Sequence, residues 1–386
     1  VLTGGLGAGG KGLFALDVTA TAPSNHTVLF EKTSADGFGY IYGQPSILRM
    51  PGGAWSIFTG NGLGTDNRAQ LLVVNLNTKS VTPINTLDAT PAGLSEVTLV
   101  DNNNDQIVDY AFAGDSKGDM WRFAFDPDPE NGVTVTKVFD GSADQPITTG
   151  PEVGEHPNGG YMVYWGTGNA TSITDAQDTS YPTQAIYGIW DHATGTRIAT
   201  QTLATAIDET FPNDVSGDRT ETVRYILANE FETIKQSNKH FEYICPAADN
   251  NCIAIKGWKV DLSNNERLTG GTPQLRAARL SFVTNNPIGT NTFDNGALNP
   301  DLGGDNWLMS LDYLTGGDST GTPRASVNGG VALNLNGDIL LNEQDMIDGV
   351  TPPVGLQLGE GSVSQPAIAR LGPSIDMMFI NGLKLP

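Results

Sequence analysis

The sequence predicts an all-β fold, a modified β-propeller of six to seven blades with long loop insertions. The 386 residues include 47 glycines and 22 prolines, which favour many tight turns. Aromatic and β-branched residues are plentiful enough to argue against disorder. No segment carries a sustained helical periodicity. A strand–turn–strand unit recurs along the chain, and this repeat is the main evidence for blades.

The recurring unit is a strand, a turn of glycine or asparagine, and a second strand that ends in aspartate or asparagine. Trp55–Gly60 followed by Leu72–Asn77 is one example, and Tyr110–Gly114 followed by Trp121–Asp126 is the next. The second strands of the units end at Asp17, Asn77, Asp126, Asp191, Asp261 and Asp312. A period of roughly 50–70 residues made of strands alone is typical of propeller blades. Two stacked sheets form the competing architecture, which a repeat along the whole chain disfavours.

The two ends of the chain also resemble each other. Gln44–Met50 is similar to Gln365–Leu371, and each is followed by a strand with a similar ending. The C-terminus therefore begins a blade and leaves it unfinished. We expect Gly12–Asp17 to complete the ring beside Met377–Ile380.

Length and charge limit the class of protein. We expect residues 1–386 to form a single propeller domain, cut from a longer protein because the sequence opens abruptly at Val1. Segment 313–360 is an irregular insertion in this scheme, and it is one place for a seventh blade. The net charge of −22 argues against nucleic acid as a partner. No apolar run approaches the roughly 20 residues of a membrane helix, so no membrane-spanning segment is expected.

One short stretch has the spacing of a calcium-binding loop. Asp101, Asn103, Asp105 and Asp109 place oxygen-bearing side chains at loop positions 1, 3, 5 and 9, and Ile107 can offer its backbone carbonyl at position 7. This is the order in which an EF-hand-type loop surrounds Ca²⁺. Converging carboxylates repel one another unless a cation lies between them. The alternative is a solvated Asn/Asp turn between two strands.

The loop departs from an EF-hand in sequence and in its flanks. Position 6 is Gln106 instead of glycine, and position 12 is Phe112 instead of a bidentate glutamate. Asp109 must therefore close the site. The flanking segments Glu96–Val100 and Tyr110–Ala113 read as strands.

A second, weaker metal candidate lies in the 313–360 insertion. Asn334, Asn336, Asp338 and Asn342 repeat the spacing, with the carbonyl of Leu340 at position 7 and Asp345 at position 12. Fewer carboxylates predict low affinity or none. An Asn-Gly-Asp hairpin turn explains the same residues equally well.

Only two cysteines occur, Cys245 and Cys252, separated by six residues that include proline and an Asp-Asn-Asn turn. This spacing suits a small-loop disulfide and an oxidising compartment, although two free thiols remain the alternative. A zinc site would need further ligands, and the nearest histidine, His240, has no partner in the sequence.

Familiar catalytic motifs are incomplete or missing. Gly5–Gly10 spells G-x-G-x-x-G, but Gly12 replaces the hydroxyl of a P-loop and Leu13 continues as a strand where a nucleotide site needs a helix. There is no G-x-S-x-G elbow and no H-E-x-x-H zinc motif. We therefore expect a glycine-rich propeller turn here and no enzyme.

Several blocks together resemble one known family. Gly4–Thr19, the metal loop with Asp109–Phe123, Ile186–Asp191 and Trp307–Gly317 all look like the C-terminal domain of PilC/PilY-type proteins, which are surface and tip-associated factors of bacterial type IV pili. The resemblance covers nearly the whole chain in the right order. It implies a quinoprotein-like modified propeller with Ca²⁺ bound by the loop at Asp101, Asn103, Asp105, Ile107 and Asp109.

The resemblance also implies a biological role. It suggests regulation of pilus extension and retraction, twitching motility, and adhesion to host cells or abiotic surfaces. The implied partners are pilin or minor pilins and the pilus machinery, at an extracellular, outer-membrane-associated or pilus-tip location. The rival function is a quinone-cofactor dehydrogenase on the same propeller, which often carries a vicinal disulfide. This chain has no adjacent cysteines.

Overall fold

The fold was analysed in a computed structural model, whose described residues are almost entirely strands and turns. Those residues are 1–156, 159–171, 178, 180–191, 219–227, 230–237, 257–262, 265–269, 271–276, 278–287, 293–294, 297–298, 305–313, 331–333, 358–359 and 362–363. They fall into two compact units, one of residues 1–151 and one from residue 152 onward. Within these ranges helix is limited to three single 3-10 turns, Gly7–Gly9, Pro23–Asn25 and Ser34–Asp36. None of the described helices has the length and apolarity to cross a membrane.

The first unit contains three antiparallel sheets whose strands follow chain order. The first sheet consists of β1 (Leu2–Gly5), β2 (Gly12–Asp17) and β3 (Thr27–Thr33). The second consists of β4 (Ser46–Arg49), β5 (Trp55–Gly60), β6 (Gln70–Asn75) and β7 (Val81–Asn85). The third consists of β8 (Thr98–Val100), β9 (Tyr110–Gly114), β10 (Met120–Phe125) and β11 (Val133–Phe139). Strands joined to their sequence neighbours in four-stranded meanders are the structure of a propeller blade.

Alternating apolar residues on facing sheets form the core of this unit. One cluster joins the second and third sheets through large side chains such as Phe58, Trp121 and Phe123, which are completely buried. A second cluster joins the first and second sheets around Phe38 and Ile57. Burial at roughly 25 cal/mol per Å² of apolar surface makes such clusters the main stabilising contribution. Both faces of the second sheet are therefore buried, which agrees with the nearly continuous apolar runs of β5 and β6.

The second unit contains a six-stranded and a four-stranded sheet. The first has the order β12–β13–β14–β17–β16–β15, with Glu152–Glu155, Tyr161–Gly166, Ala185–Asp191, Gly257–Asp261, Glu230–Ser237 and Arg219–Leu227. The second has the order β18–β19–β22–β23, with Gln274–Arg276, Arg279–Asn286, Asp305–Asp312 and Val331–Leu333. Two short hairpins, β20–β21 and β24–β25, comprise Phe293–Asp294 with Ala297–Leu298 and Leu358–Gly359 with Ser362–Val363.

The unit that begins at the Arg224 strand and ends at Asp261 departs from the units before it. Its second strand, Gly257–Asp261, lies directly against Ala185–Asp191 of the preceding unit. The reason is a large-to-small match, since Trp258 stands opposite Gly188 and a side chain at Gly188 would overlap its ring. The indole fits the register of this pair, so the strand ending at Asp261 extends the six-stranded sheet that contains Ala185–Asp191.

The glycine-rich motif near the start of the chain is a turn between β1 and β2, as predicted. Gly5 lies against Ile41, and any side chain at Gly5 would collide with the carbonyl oxygen of that residue. The glycine is therefore required for close packing of two backbones.

The fold class is confirmed as an all-β, propeller-like arrangement of antiparallel sheets, while some details lie outside the described residues. These are the proposed closing strand 377–380, the second metal loop 334–342, and both cysteines. The single-domain organisation and the exact blade number also stay predictions.

Candidate metal centre

The candidate metal loop, residues 101–109, connects β8 to β9. These two strands pair with Val100 opposite Tyr110, so the chain leaves and re-enters the sheet at adjacent points. The N–H of Asp109 donates to the carbonyl of Val100 at 2.9 Å and closes the base of the loop. Asp101 and Asp109 therefore lie next to each other where the loop leaves and rejoins the sheet.

The carboxylates of the two end residues, Asp101 and Asp109, accept hydrogen bonds from backbone N–H groups inside the loop. Asp101 accepts the N–H groups of Asp105 at 3.1 Å and Gln106 at 2.7 Å, one on each oxygen. Asp109 accepts the N–H of Asn102 at 2.7 Å. An ionised carboxylate offers about four lone-pair sites, so each side chain keeps acceptor capacity beyond these bonds.

The middle of the loop repeats this arrangement. The side-chain oxygen of Asn103 accepts the N–H of Asp105 at 3.0 Å, and Asp105 in turn accepts the N–H of Ile107 at 2.7 Å. The Asn103 amide also donates to Asp105 at 3.1 Å. All four predicted side chains and the Ile107 backbone thus belong to one compact, hydrogen-bonded turn.

Two residues of the loop adopt the left-handed conformation. Asn104 has φ of 59° and Gln106 has φ of 65°. Asparagine tolerates this region because its short side chain can hydrogen-bond to the nearby backbone. Glutamine adopts it at a cost, because the close approach of its Cβ to the backbone is not offset in this way. Gln106 therefore has the conformation that an EF-hand gives to glycine at the same position, which explains how the loop turns without one.

Phe112, at the position of the EF-hand glutamate, is fully buried in β9 and cannot reach the loop. The remaining donor set is three carboxylates, one amide oxygen and one peptide carbonyl. In the described part of the chain no three His, Cys, Asp or Glu side chains are grouped in a metal-holding arrangement. Any ion in this loop would consequently depend on Asn103 and Ile107 as well as on the carboxylates. An all-oxygen set of this kind fits a hard cation such as Ca²⁺ and does not fit zinc.

Sequence analysis missed Arg49, which contacts the loop from the neighbouring sheet. Its Nη2 atom donates to the carbonyl of Asp105 at 2.6 Å, across 56 residues of sequence. Its main chain also pairs with Ile107. A lone arginine at the end of a strand has no signature that would have revealed this contact.

Sequence analysis also missed a cluster of charged residues around Lys137. The ammonium of this β11 residue contacts Asp88 at 2.6 Å, Asp140 at 2.8 Å and Asp119 at 2.9 Å. It also lies 5.0 Å from the centre of the Trp121 ring. The indole N–H donates to Asp115, a buried carboxylate in the turn between β9 and β10.

The pKa values of this cluster reflect burial opposed by pairing. Burial raises the pKa of Asp119 to about 6, although the hydrogen bond from Lys137 acts in the opposite direction. Burial also raises the pKa of Asp115 despite the bond from Trp121. For the more exposed Asp88, the hydrogen bond from Lys137 dominates and lowers the pKa. Burial favours neutral Lys137, but its three carboxylate partners outweigh burial and raise its pKa.

The sheets and the loop together define a class, a β-propeller protein with an oxygen-lined loop inserted between two strands of one blade. A family model described as the PilY1 β-propeller domain matches residues 1–209. The chain belongs to this family.

Curated relatives and a solved structure agree with this assignment. The chain is 34% identical over 314 residues to the type IV pilus biogenesis factor PilY1 of Pseudomonas aeruginosa strain UCBPP-PA14, covering 70% of this chain and 26% of the relative. A PilY1 homologue of Xylella fastidiosa is 31% identical over 83% of this chain and 22% of its own length. The crystal structure of the Pseudomonas aeruginosa PilY1 C-terminal domain matches with a TM-score of 0.62 and 27% identity, covering 82% of this chain and 67% of that one. The chain spans about a quarter of the length of these curated relatives.

Proposed function

We propose that this chain is the calcium-binding propeller domain of a type IV pilus biogenesis factor, at the pilus tip or cell surface. The observation that carries the proposal is the loop at residues 101–109, in which Asp101, Asn103, Asp105 and Asp109 share one turn. Family membership supports the pilus context, since the matched relatives are named as pilus biogenesis factors. The partners in this proposal are pilin or minor pilins and the pilus machinery.

The proposed Ca²⁺ ligands are the side chains of Asp101, Asn103, Asp105 and Asp109 and the carbonyl of Ile107. A bound ion would neutralise carboxylates that otherwise repel one another on an exposed turn. The residues of the loop would orient these oxygens through the N–H bonds described above. Because the loop joins β8 to β9, ordering it would stiffen one edge of a blade while the buried core stays unchanged.

The proposed consequence for the cell is calcium control of pilus extension and retraction, and through them of twitching motility and adhesion to host cells or abiotic surfaces. An exposed loop responds to an external ion without unfolding the domain, because the free energy of binding adds to local order. The affinity should lie in the sensor to extracellular range, roughly 10⁻⁶–10⁻³ M.

The test of binding is a calorimetric Ca²⁺ titration of the chain, its Asp109→Ala variant and an Asp66→Ala control. Asp66 is an exposed aspartate in the turn between β5 and β6, so its removal changes the net charge equally. We expect binding by the parent and the control and none by Asp109→Ala. Hydrogen exchange should show faster exchange at residues 99–112 in EGTA and unchanged exchange in the core strands. Equal protection with and without EGTA would contradict the calcium proposal.

The test of function places the same variants in the full-length protein of a piliated strain. Asp109→Ala should alter twitching zones and surface piliation, and Asp66→Ala should not. Loss of calcium binding with normal pili would separate the ion from the pilus role. Turnover in a dye-linked alcohol oxidation with added quinone cofactor would instead favour the dehydrogenase alternative over a non-enzymatic domain.

A further inference from the structure

We infer that Arg49 is a positioning residue for the calcium loop: its side chain fixes the Asp105–Gln106 peptide from the adjacent sheet, its main chain directs the Ile107 carbonyl away from β4, and Trp55 holds the guanidinium in place. The inference rests on the calcium binding proposed above. It adds a second sheet to a site that otherwise belongs to one strand–loop–strand segment. Its evidence is the set of contacts that Arg49 makes around the central residues of the loop.

The main chain of Arg49 contacts the residues on both sides of Ile107. Its N–H donates to the carbonyl of Gln106 at 3.2 Å, and its carbonyl accepts the N–H of Val108 at 2.9 Å. In extended backbone the N–H and C=O of one residue point to one side, and those of its neighbours point to the other. Pairing with Arg49 therefore directs the C=O and N–H of Ile107 away from β4. The N–H of Ile107 does bond to Asp105 on the loop side, in agreement with this orientation.

The side chain of Arg49 adds the contact that a substitution can remove. Nη2 holds the Asp105 carbonyl at 2.6 Å, so the peptide after loop position 5 is fixed from outside the loop. The enclosed Nε forms no hydrogen bond to any part of the chain that the structure describes. Among the residues that the structure describes, the bond from Nη2 to Asp105 is the one hydrogen bond of this guanidinium. Without it, the C=O of the Asp105–Gln106 peptide would lose its bond from outside the loop, while its N–H would keep the bond to Asp101. The left-handed residue Gln106 would then be less tightly restrained.

Trp55 supports the guanidinium from the next strand. It stands directly opposite Arg49 in the β4–β5 pair, and its ring centre lies 5.6 Å from the guanidinium carbon. The ring remains 46% exposed, an unusual degree for tryptophan in a sheet. A cation–π contact at this distance restrains the guanidinium and makes the indole sensitive to its position. The state of the loop should therefore be reported by the emission of Trp55.

The test compares Ca²⁺ titrations of the unmodified chain with Arg49→Ala, Arg49→Lys and Arg68→Ala. Arg68 lies in the β5–β6 turn, at the opposite end of the sheet from Arg49, and its removal controls for charge. We expect Arg49→Ala to weaken Ca²⁺ binding about three- to tenfold, as the loss of one hydrogen bond implies. Arg49→Lys should recover part of the loss, and Arg68→Ala should leave the affinity unchanged.

Two further readouts separate positioning from general stabilisation. Ca²⁺ should change the tryptophan emission of the unmodified chain, and Trp55→Phe should remove most of that change. The difference in melting temperature between Arg49→Ala and Arg68→Ala should be larger in Ca²⁺ than in EGTA, because a positioning residue gains further importance when the ion is bound. An equal loss of stability with and without Ca²⁺ would make Arg49 a structural residue only.

The outcomes distinguish this inference from the calcium proposal. No Ca²⁺ binding by the unmodified chain would refute the proposed function itself. Binding by the unmodified chain that Arg49→Ala leaves unchanged would refute only the positioning role. Tighter binding by Arg49→Ala would also refute it, since it would show that the arginine acts mainly by repelling the ion.

Discussion

The aspartate carboxylates at the two ends of strand β9 have different partners. At its start, the carboxylates of the 101–109 loop are satisfied by backbone N–H groups and, among the described residues, form no ion pair with a lysine or arginine. At its end, Asp119 and two further aspartates surround the ammonium of Lys137. One end contains its own cation, and the other, in our proposal, binds a cation from solution.

The difference shows what distinguishes a permanent charge cluster from a candidate switch. In the Lys137 cluster Asp119 is buried, and the ammonium of Lys137 is largely enclosed and contacts the indole of Trp121, so the pair is fixed whenever the blade is folded. Residues 102–106 of the loop are exposed. An exposed site exchanges its ion with solvent and can respond to concentration, whereas a buried ammonium cannot leave. The same residue type therefore contributes stability at one end and, in our proposal, sensitivity at the other.

The largest expected effect comes from removing the internal cation. Lys137→Met should lower the free energy of unfolding by about 2–4 kcal/mol, because it leaves Asp119 buried without its counter-charge. Urea denaturation in EGTA measures this, with Lys79→Met as control because Lys79 is exposed. Equal stability of the two variants would show that the pairing of Lys137 with Asp119 does not stabilise the folded blade.

A smaller effect is expected from pH. The folded-state pKa of Asp119, about 6, exceeds the value near 3.9 of an unfolded chain. The folded state therefore binds the proton more tightly, and the contribution of this group to stability is full below about pH 4 and lost as pH rises through 6. Replacing Asp119 with Asn should flatten the stability profile by about 1–2 kcal/mol between pH 4 and 7, allowing for solvent screening.

The same pH profile needs an aspartate outside the Lys137 cluster as its control. Asp66→Asn, an exposed control, should leave the pH dependence as it is in the unmodified protein. A profile of Asp119→Asn that parallels the unmodified one would indicate that the proton is bound elsewhere in the cluster.

The smallest effect is expected at the strained residue of the loop. Gln106→Gly should raise the free energy of unfolding by about 0.5 kcal/mol in EGTA, because relief of the left-handed strain exceeds the extra entropy of glycine only slightly. Gln106→Val should lower it by about 1 kcal/mol or more, since a β-branched residue is poorly tolerated at positive φ. Denaturation curves in which Val is tolerated as well as Gly would mean that the loop does not hold this conformation in solution.

The sequence alone determined the features that depend on short-range periodicity. Short aromatic and aliphatic runs bounded by glycine and asparagine turns predicted strands such as Trp55–Gly60 and Tyr110–Gly114, because the signals for a strand and a turn are local. The loop residues were predicted in order for the same reason, since they lie within nine positions and their hydrogen bonds span at most seven. The family resemblance also came from the sequence alone, through the order of the blocks Gly4–Thr19, Asp109–Phe123, Ile186–Asp191 and Trp307–Gly317.

Tertiary structure alone decided which distant residues meet. Arg49 of β4 reaches Asp105 in the β8–β9 loop across 56 residues, and Lys137 of β11 reaches Asp88 in the β7–β8 connection across 49. Trp258 packs against Gly188 because its indole occupies the space that a side chain at position 188 would fill. Such contacts depend on the packing of whole sheets, in which shape and burial select one partner among many residues of similar type.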